Sequence, residues 1–65
     1  MIVLNGEPTD VPAGLTVAGL AELRGWPERS VAVAVGGEVV PRSAWPTTAV
    51  PDGARVEVVT AMQGG

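Results

Sequence analysis

Ile2-Val3-Leu4 is an unbroken apolar run, and Asn5-Gly6-Glu7-Pro8 behind it is a turn signal. Thr9-Asp10-Val11 reads as a short returning strand, which Pro12-Ala13-Gly14 breaks. Together these segments predict an N-terminal hairpin. The period then changes. Val17, Leu20, Ala21 and Leu23 fall near one face at helical spacing. Thr16 is placed to cap that helix, because its hydroxyl can accept an amide hydrogen that the first turn leaves unpaired. Gly19 inside it costs about 1 kcal/mol relative to Ala. Gly25 suits the left-handed residue just past a helix end, and Pro27 prevents continuation. So short a helix depends on docking onto a sheet.

Ser30 to Val35 is the cleanest strand pattern. Val31, Val33 and Val35 point one way, and Ala32 and Ala34 the other. Gly36-Gly37 supplies a two-residue hairpin turn, and Glu38-Val39-Val40 runs back until Pro41. Ser43-Ala44-Trp45 predicts a single helical turn ahead of Pro46. Pro51-Asp52-Gly53 is a turn, and Arg55 to Thr60 is the last strand, alternating until Val59. The order is strand, strand, helix, strand, strand, strand.

That order predicts an α+β fold with the helix on one sheet face. A ferredoxin-like split also combines strands with helices, but the pattern offers one helix where that layout needs two. With the first and last strands adjacent, they would be central and parallel. The expected architecture is therefore a β-grasp roll, a mixed sheet of about five strands with one main helix on one face. Residues 1–60 form the predicted domain and residues 61–65 a flexible tail.

Composition narrows the chemistry. Sixty-five residues make one domain with a marginal core. The absence of Cys and His removes disulfides and the usual zinc ligands together. The four basic residues are all arginine: Arg24, Arg29, Arg42 and Arg55. Ser30 and Ser43 thus have no His or Lys to activate them, and a self-contained acyl-transfer or metal site cannot be assembled. The expectation is a non-enzyme without a cofactor or metal of its own. A net charge of −3, no basic stripe and no aromatic platform argue against nucleic acid. Met-Ile-Val-Leu-Asn lacks the pattern of a signal peptide and no apolar run is long enough for a bilayer, so a cytoplasmic location away from membranes is expected.

The tail carries the most pointed chemistry. Met62-Gln63-Gly64-Gly65 ends in two residues without side chains. Nothing there blocks a narrow channel, and glycine adopts whatever φ and ψ the channel demands. Such an end suits a carboxylate threaded into another protein's catalytic pocket. Five extended residues reach up to about 17 Å.

Several segments carry a family resemblance. They are Ile2 to Gly6, Gly14-Leu15-Thr16-Val17, and Ala32-Val33-Ala34-Val35. The most specific is Val40-Pro41-Arg42-Ser43-Ala44-Trp45, similar to a Val-Pro-Arg-x-x-Trp signature. Asp52-Gly53, Val56 to Val59 and Gly64-Gly65 complete it. With these the chain resembles the ThiS family of ubiquitin-like sulfur carriers in thiamin thiazole biosynthesis. Ala54 departs from the family pattern, where many members carry Asp.

The resemblance implies that Gly65 is the reacting acyl group, with Gly64 giving clearance and Gln63 and Met62 the approach. An ATP-dependent, ubiquitin-activating-like (ThiF-type) enzyme would adenylate the carboxylate. A sulfur donor such as a cysteine desulfurase would supply a persulfide to displace AMP, and thiazole synthase (ThiG-type) would consume the thiocarboxylate. The same chemistry could serve molybdopterin or cysteine synthesis, and a protein modifier is a further alternative. Val59, with Ala32 or Ala34, is a candidate apolar docking patch. Arg42 has two readings, a partner carboxylate or a bond to local backbone carbonyls. Trp45, between Pro41 and Pro46, is read as a core plug.

Overall fold

The computed structural model describes residues 1–27 and 30–60. β1 (Ile2–Leu4) and β2 (Glu7–Thr9) form the first hairpin, followed by α1 (Val17–Arg24). β3 (Val31–Val35) and β4 (Glu38–Val40) form the second hairpin, a 3₁₀ helix covers Arg42–Thr47, and β5 (Arg55–Thr60) closes the order. The five strands make one sheet in the order β2-β1-β5-β3-β4. β1 and β5 pair in parallel at its centre, and every other pairing is antiparallel.

Local chemistry accounts for the turns. Asn5 and Gly6 have φ of 50° and 84°, and Gly36 and Gly37 have 61° and 86°. Positive φ at both central residues matches the right-handed twist of the strands they join, which selects Asn-Gly and Gly-Gly. Thr16 caps α1 by accepting a hydrogen bond from Gly19 N–H at 3.1 Å. Gly25 ends it at φ 71°. Gly25 N–H donates to the Glu22 carbonyl at 3.2 Å and Trp26 N–H to the Ala21 carbonyl at 2.9 Å, the paired bonds of a Schellman cap.

The core lies between α1 and the inner sheet face. Ile2 and Leu4 from β1, Val31 and Val33 from β3 and Val56 from β5 meet Val17, Leu20 and Ala21 of the helix. Trp45 and Val50 close one side. Each large apolar side chain so buried contributes about 1.5–3 kcal/mol. Trp45 is 3% exposed, and its indole N–H donates to the Val40 carbonyl at 3.0 Å, so no polar atom is left unpaired. The plug reading of Trp45 therefore holds. The start of α1 is pinned as well: Val17 N–H donates to the Thr48 carbonyl at 2.9 Å and Val50 N–H to the Leu15 carbonyl at 2.8 Å.

Three expectations need correction. The returning strand is Glu7–Thr9, two residues earlier than Thr9 to Val11. Pro8, assigned to the turn with Asn5, Gly6 and Glu7, instead sits opposite Val3 in an edge strand. Val3 N–H turns the other way, to the Ala54 carbonyl at 2.9 Å, so this pair exchanges no ladder bonds and the Pro8 nitrogen faces the open side. Leu23 is 58% exposed, because it lies on the flank of the stripe that Val17, Leu20 and Ala21 bury. The turn around Trp45 spans Arg42–Thr47 and runs through Pro46, whose fixed φ suits a 3₁₀ turn. Among the described residues no helix is long and apolar enough to cross a membrane.

Candidate functional site

The strand alternation that builds the core also builds an outer face. With Val31 and Val33 turned inward, Ala32 and Ala34 face outward. On β5, Val56 is inward, so Glu57 and Val59 alternate around Val58. Registry then brings the candidate residues together. Ala32 is paired with Val59, and Ala34 lies between Glu57 on β5 and Val39 on β4. Val59 is 64% exposed and Val39 71%. Ala32 is exposed and Ala34 half-buried. Small alanines between two protruding valines leave a shallow apolar surface with the Glu57 charge beside it.

Arg42 comes to the rim of this surface from the 3₁₀ helix. It lines a shallow hollow with Ser30, Val31, Ala32 and Val59. Its guanidinium lies 6.0 Å from the Trp45 ring centroid, at the outer limit of a cation–π contact. Among the described residues it makes no hydrogen bond to the loop carbonyls, so that reading of Arg42 gives way to stacking on the indole. Ala34 does not line the hollow. Met62, Gln63, Gly64 and Gly65 lie outside the described residues, as does the whole tail 61–65.

Two residues of the site went unmarked in the sequence. Val39 follows Gly36-Gly37 by alternation, and pairing with Ala34 puts it on the outer face. Asn5 was read only as a turn residue, but its carboxamide bonds to Val58 of β5. The first could be found by counting register back from the hairpin turn. The second depends on which strand lies beside β1.

The two ends of the central strands differ. At one end Gly53 N–H donates to the Met1 carbonyl at 2.6 Å. The Met1 ammonium forms an ion pair with Asp52 there. Its hydrogen bond, and secondarily its charge, hold the Asp52 carboxyl below the usual range. At the other end β5 runs out beside the first turn, at Thr60.

A mixed five-stranded sheet with central parallel β1 and β5 and one helix across its inner face is the β-grasp, ubiquitin-like fold. Within that class the comparisons are specific. The model of the ThiS family matches residues 2–65, and the chain belongs to that family. The crystal structure of the thiamine biosynthesis protein ThiS from Geobacter metallireducens superimposes with a TM-score of 0.83 at 34% identity, covering 98% of this chain and 97% of that one. The solution structure of a thiamine biosynthesis protein from the same organism gives 0.81 at 34% identity, covering 98% and 86%. A thiazole synthase of Paramagnetospirillum magneticum is 39% identical over 64 residues. That match takes in 98% of this chain but 20% of the synthase, so the chain spans about a fifth of that relative.

Proposed function

We propose that this chain is a sulfur carrier of thiamin biosynthesis, and that the Gly65 carboxylate is the group it delivers. The observation that carries the reading is the family match across residues 2–65, which takes in both the fold and the terminal Gly64-Gly65. A free carboxylate resists attack because of its charge and resonance. An ATP-dependent adenylating enzyme of the ThiF type removes both obstacles by forming an acyl-adenylate at Gly65, with pyrophosphate leaving. A persulfide on a sulfur donor, such as a cysteine desulfurase, attacks the acyl carbon and expels AMP. A thiol then cleaves the resulting sulfur–sulfur bond, and the thiocarboxylate remains on Gly65.

Thiazole synthase is the proposed consumer. A thiazole synthase polypeptide that contains a segment 39% identical to this chain favours that partner, since carrier and synthase would then work on one substrate. The outer face of Ala32, Ala34, Val39 and Val59, with Arg42 at its rim, is the proposed docking surface. An apolar centre with a charged edge is the composition of a partner interface. The chain needs no cofactor of its own for this role, because ATP and the persulfide are handled by the partners.

The test is intact mass spectrometry after incubation with an adenylating enzyme, ATP and a persulfide donor. The expected product carries one sulfur in place of one terminal oxygen. Absence of that exchange, or attachment of the chain to lysines of other proteins, overturns the reading. Transfer of the sulfur to an acceptor other than the thiazole synthase would reassign the pathway and keep the chemistry.

A further inference from the structure

The parallel ladder between β1 and β5 breaks off where β1 turns. Asn5 N–H donates to the Val56 carbonyl at 2.8 Å. In a regular parallel pair, Val58 N–H would next donate to the backbone carbonyl of residue 5, and residue 7 would donate to the Val58 carbonyl. The turn removes both. Asn5 has φ 50°, and Glu7 pairs back onto Leu4. The Asn5 side chain supplies what is missing. Its Oδ1 accepts from Val58 N–H at 2.8 Å, and its Nδ2 donates to the Val58 carbonyl at 3.3 Å. One carboxamide stands in for two backbone groups and holds β5 past the end of its partner strand. β3 holds the other side as far as Thr60.

Turn chemistry alone does not demand Asn here. The first position of this turn type accepts Asp and Gly as well. Among these only Asn offers a donor and an acceptor together. Both bonds are exposed, so water competes with them and their share of global stability is small. Their effect is local, at a strand end that would otherwise fray on one side.

We propose that Asn5 is a positioning residue for the C-terminal tail. Its clamp on Val58 fixes the end of β5, the strand that residues 61–65 follow in sequence. The inference rests on the carrier reading above. Geometry at the reacting centre is sensitive to displacements near 1 Å, so loss of the clamp lowers turnover even though docking is intact.

The experiment uses the full chain with an ATP-dependent adenylating enzyme, and compares the unmodified protein with Asn5→Gly and Asn5→Asp. Asn5→Gly keeps the positive φ and deletes the carboxamide. Asn5→Asp keeps the acceptor and loses the donor. In Asn5→Gly, amide exchange at Val58 is expected to rise about tenfold. The kcat for acyl-adenylate formation is expected to fall about tenfold, with KM for the carrier unchanged. Asn5→Asp should recover part of both effects, and it carries the same comparison should Asn5→Gly not fold. Unaltered exchange at Val58, or a raised KM with unaltered kcat, overturns the positioning role. An unmodified chain that is never adenylated overturns the carrier reading and this role together. One that is adenylated no faster than Asn5→Gly overturns this role alone.

Discussion

The two faces of the central sheet both use valine, and use it in opposite ways. Val33 on the inner face is fully buried, whereas Val59 on the outer face is 64% exposed. Both are valines in strands, and β3 and β5 are hydrogen-bonded neighbours. The inner valine contributes by leaving water. The outer one leaves apolar surface in water, and nothing among the described residues covers it. Residue type therefore says little about role here; strand parity and register decide it.

The sharpest way to break the comparison is to truncate each side. Val33→Ala should destabilise the domain by about 2 kcal/mol, from lost burial plus the cavity left behind. Chemical denaturation would show it as a lower midpoint with an unchanged slope. A smaller and different effect is expected for Val59→Thr, which keeps the branched shape and strand preference. Its stability should stay within about 0.5 kcal/mol of the parent. Its affinity for the adenylating enzyme should weaken about three- to tenfold, as for a moderate interface contact, in a calorimetric titration. Equal affinity of parent and variant would move the docking surface elsewhere.

The smallest effect is reserved for the end of the sheet at Met1. The Asp52 carboxyl has a lowered pKa in the folded chain, so its pairing favours folding when the carboxylate is ionised. That contribution is fully present above the unfolded value, near pH 4, and fades as the pH falls through the lowered folded value. Asp52→Asn should flatten this acid-side dependence of the melting temperature. Both partners are exposed, so added salt should reduce the difference between the two proteins.

Local signals were the legible ones. Thr16, Gly25, Gly36-Gly37 and the alternation from Val31 to Val35 each describe their own neighbourhood, and each appears where the residues imply. The β-grasp order followed from counting elements. The misplaced strand came from Pro8, whose meaning depends on whether its nitrogen faces a partner or an open edge. Leu23 misled because a helical stripe does not say how wide the covering sheet is. Arg42 was ambiguous for a similar reason: its approach to the Trp45 ring depends on the 3₁₀ turn that sets the two residues three apart on one side. Parity put Val59 on the outer side with Ala32 or Ala34; that Ala32 is its partner, and that Val39 stands beside Ala34, needed the register.

Pro8 also protects the protein from itself. A sheet that ends in an uncovered strand invites another molecule to add its own strand, and repetition of that step makes fibres. At Pro8 the outward position has no hydrogen to give, and β2 is only three residues long. An incoming strand would lose a bond at the centre of the seam. The apolar outer surface is thus bordered on that side by a rim that gives a second chain little to bond to.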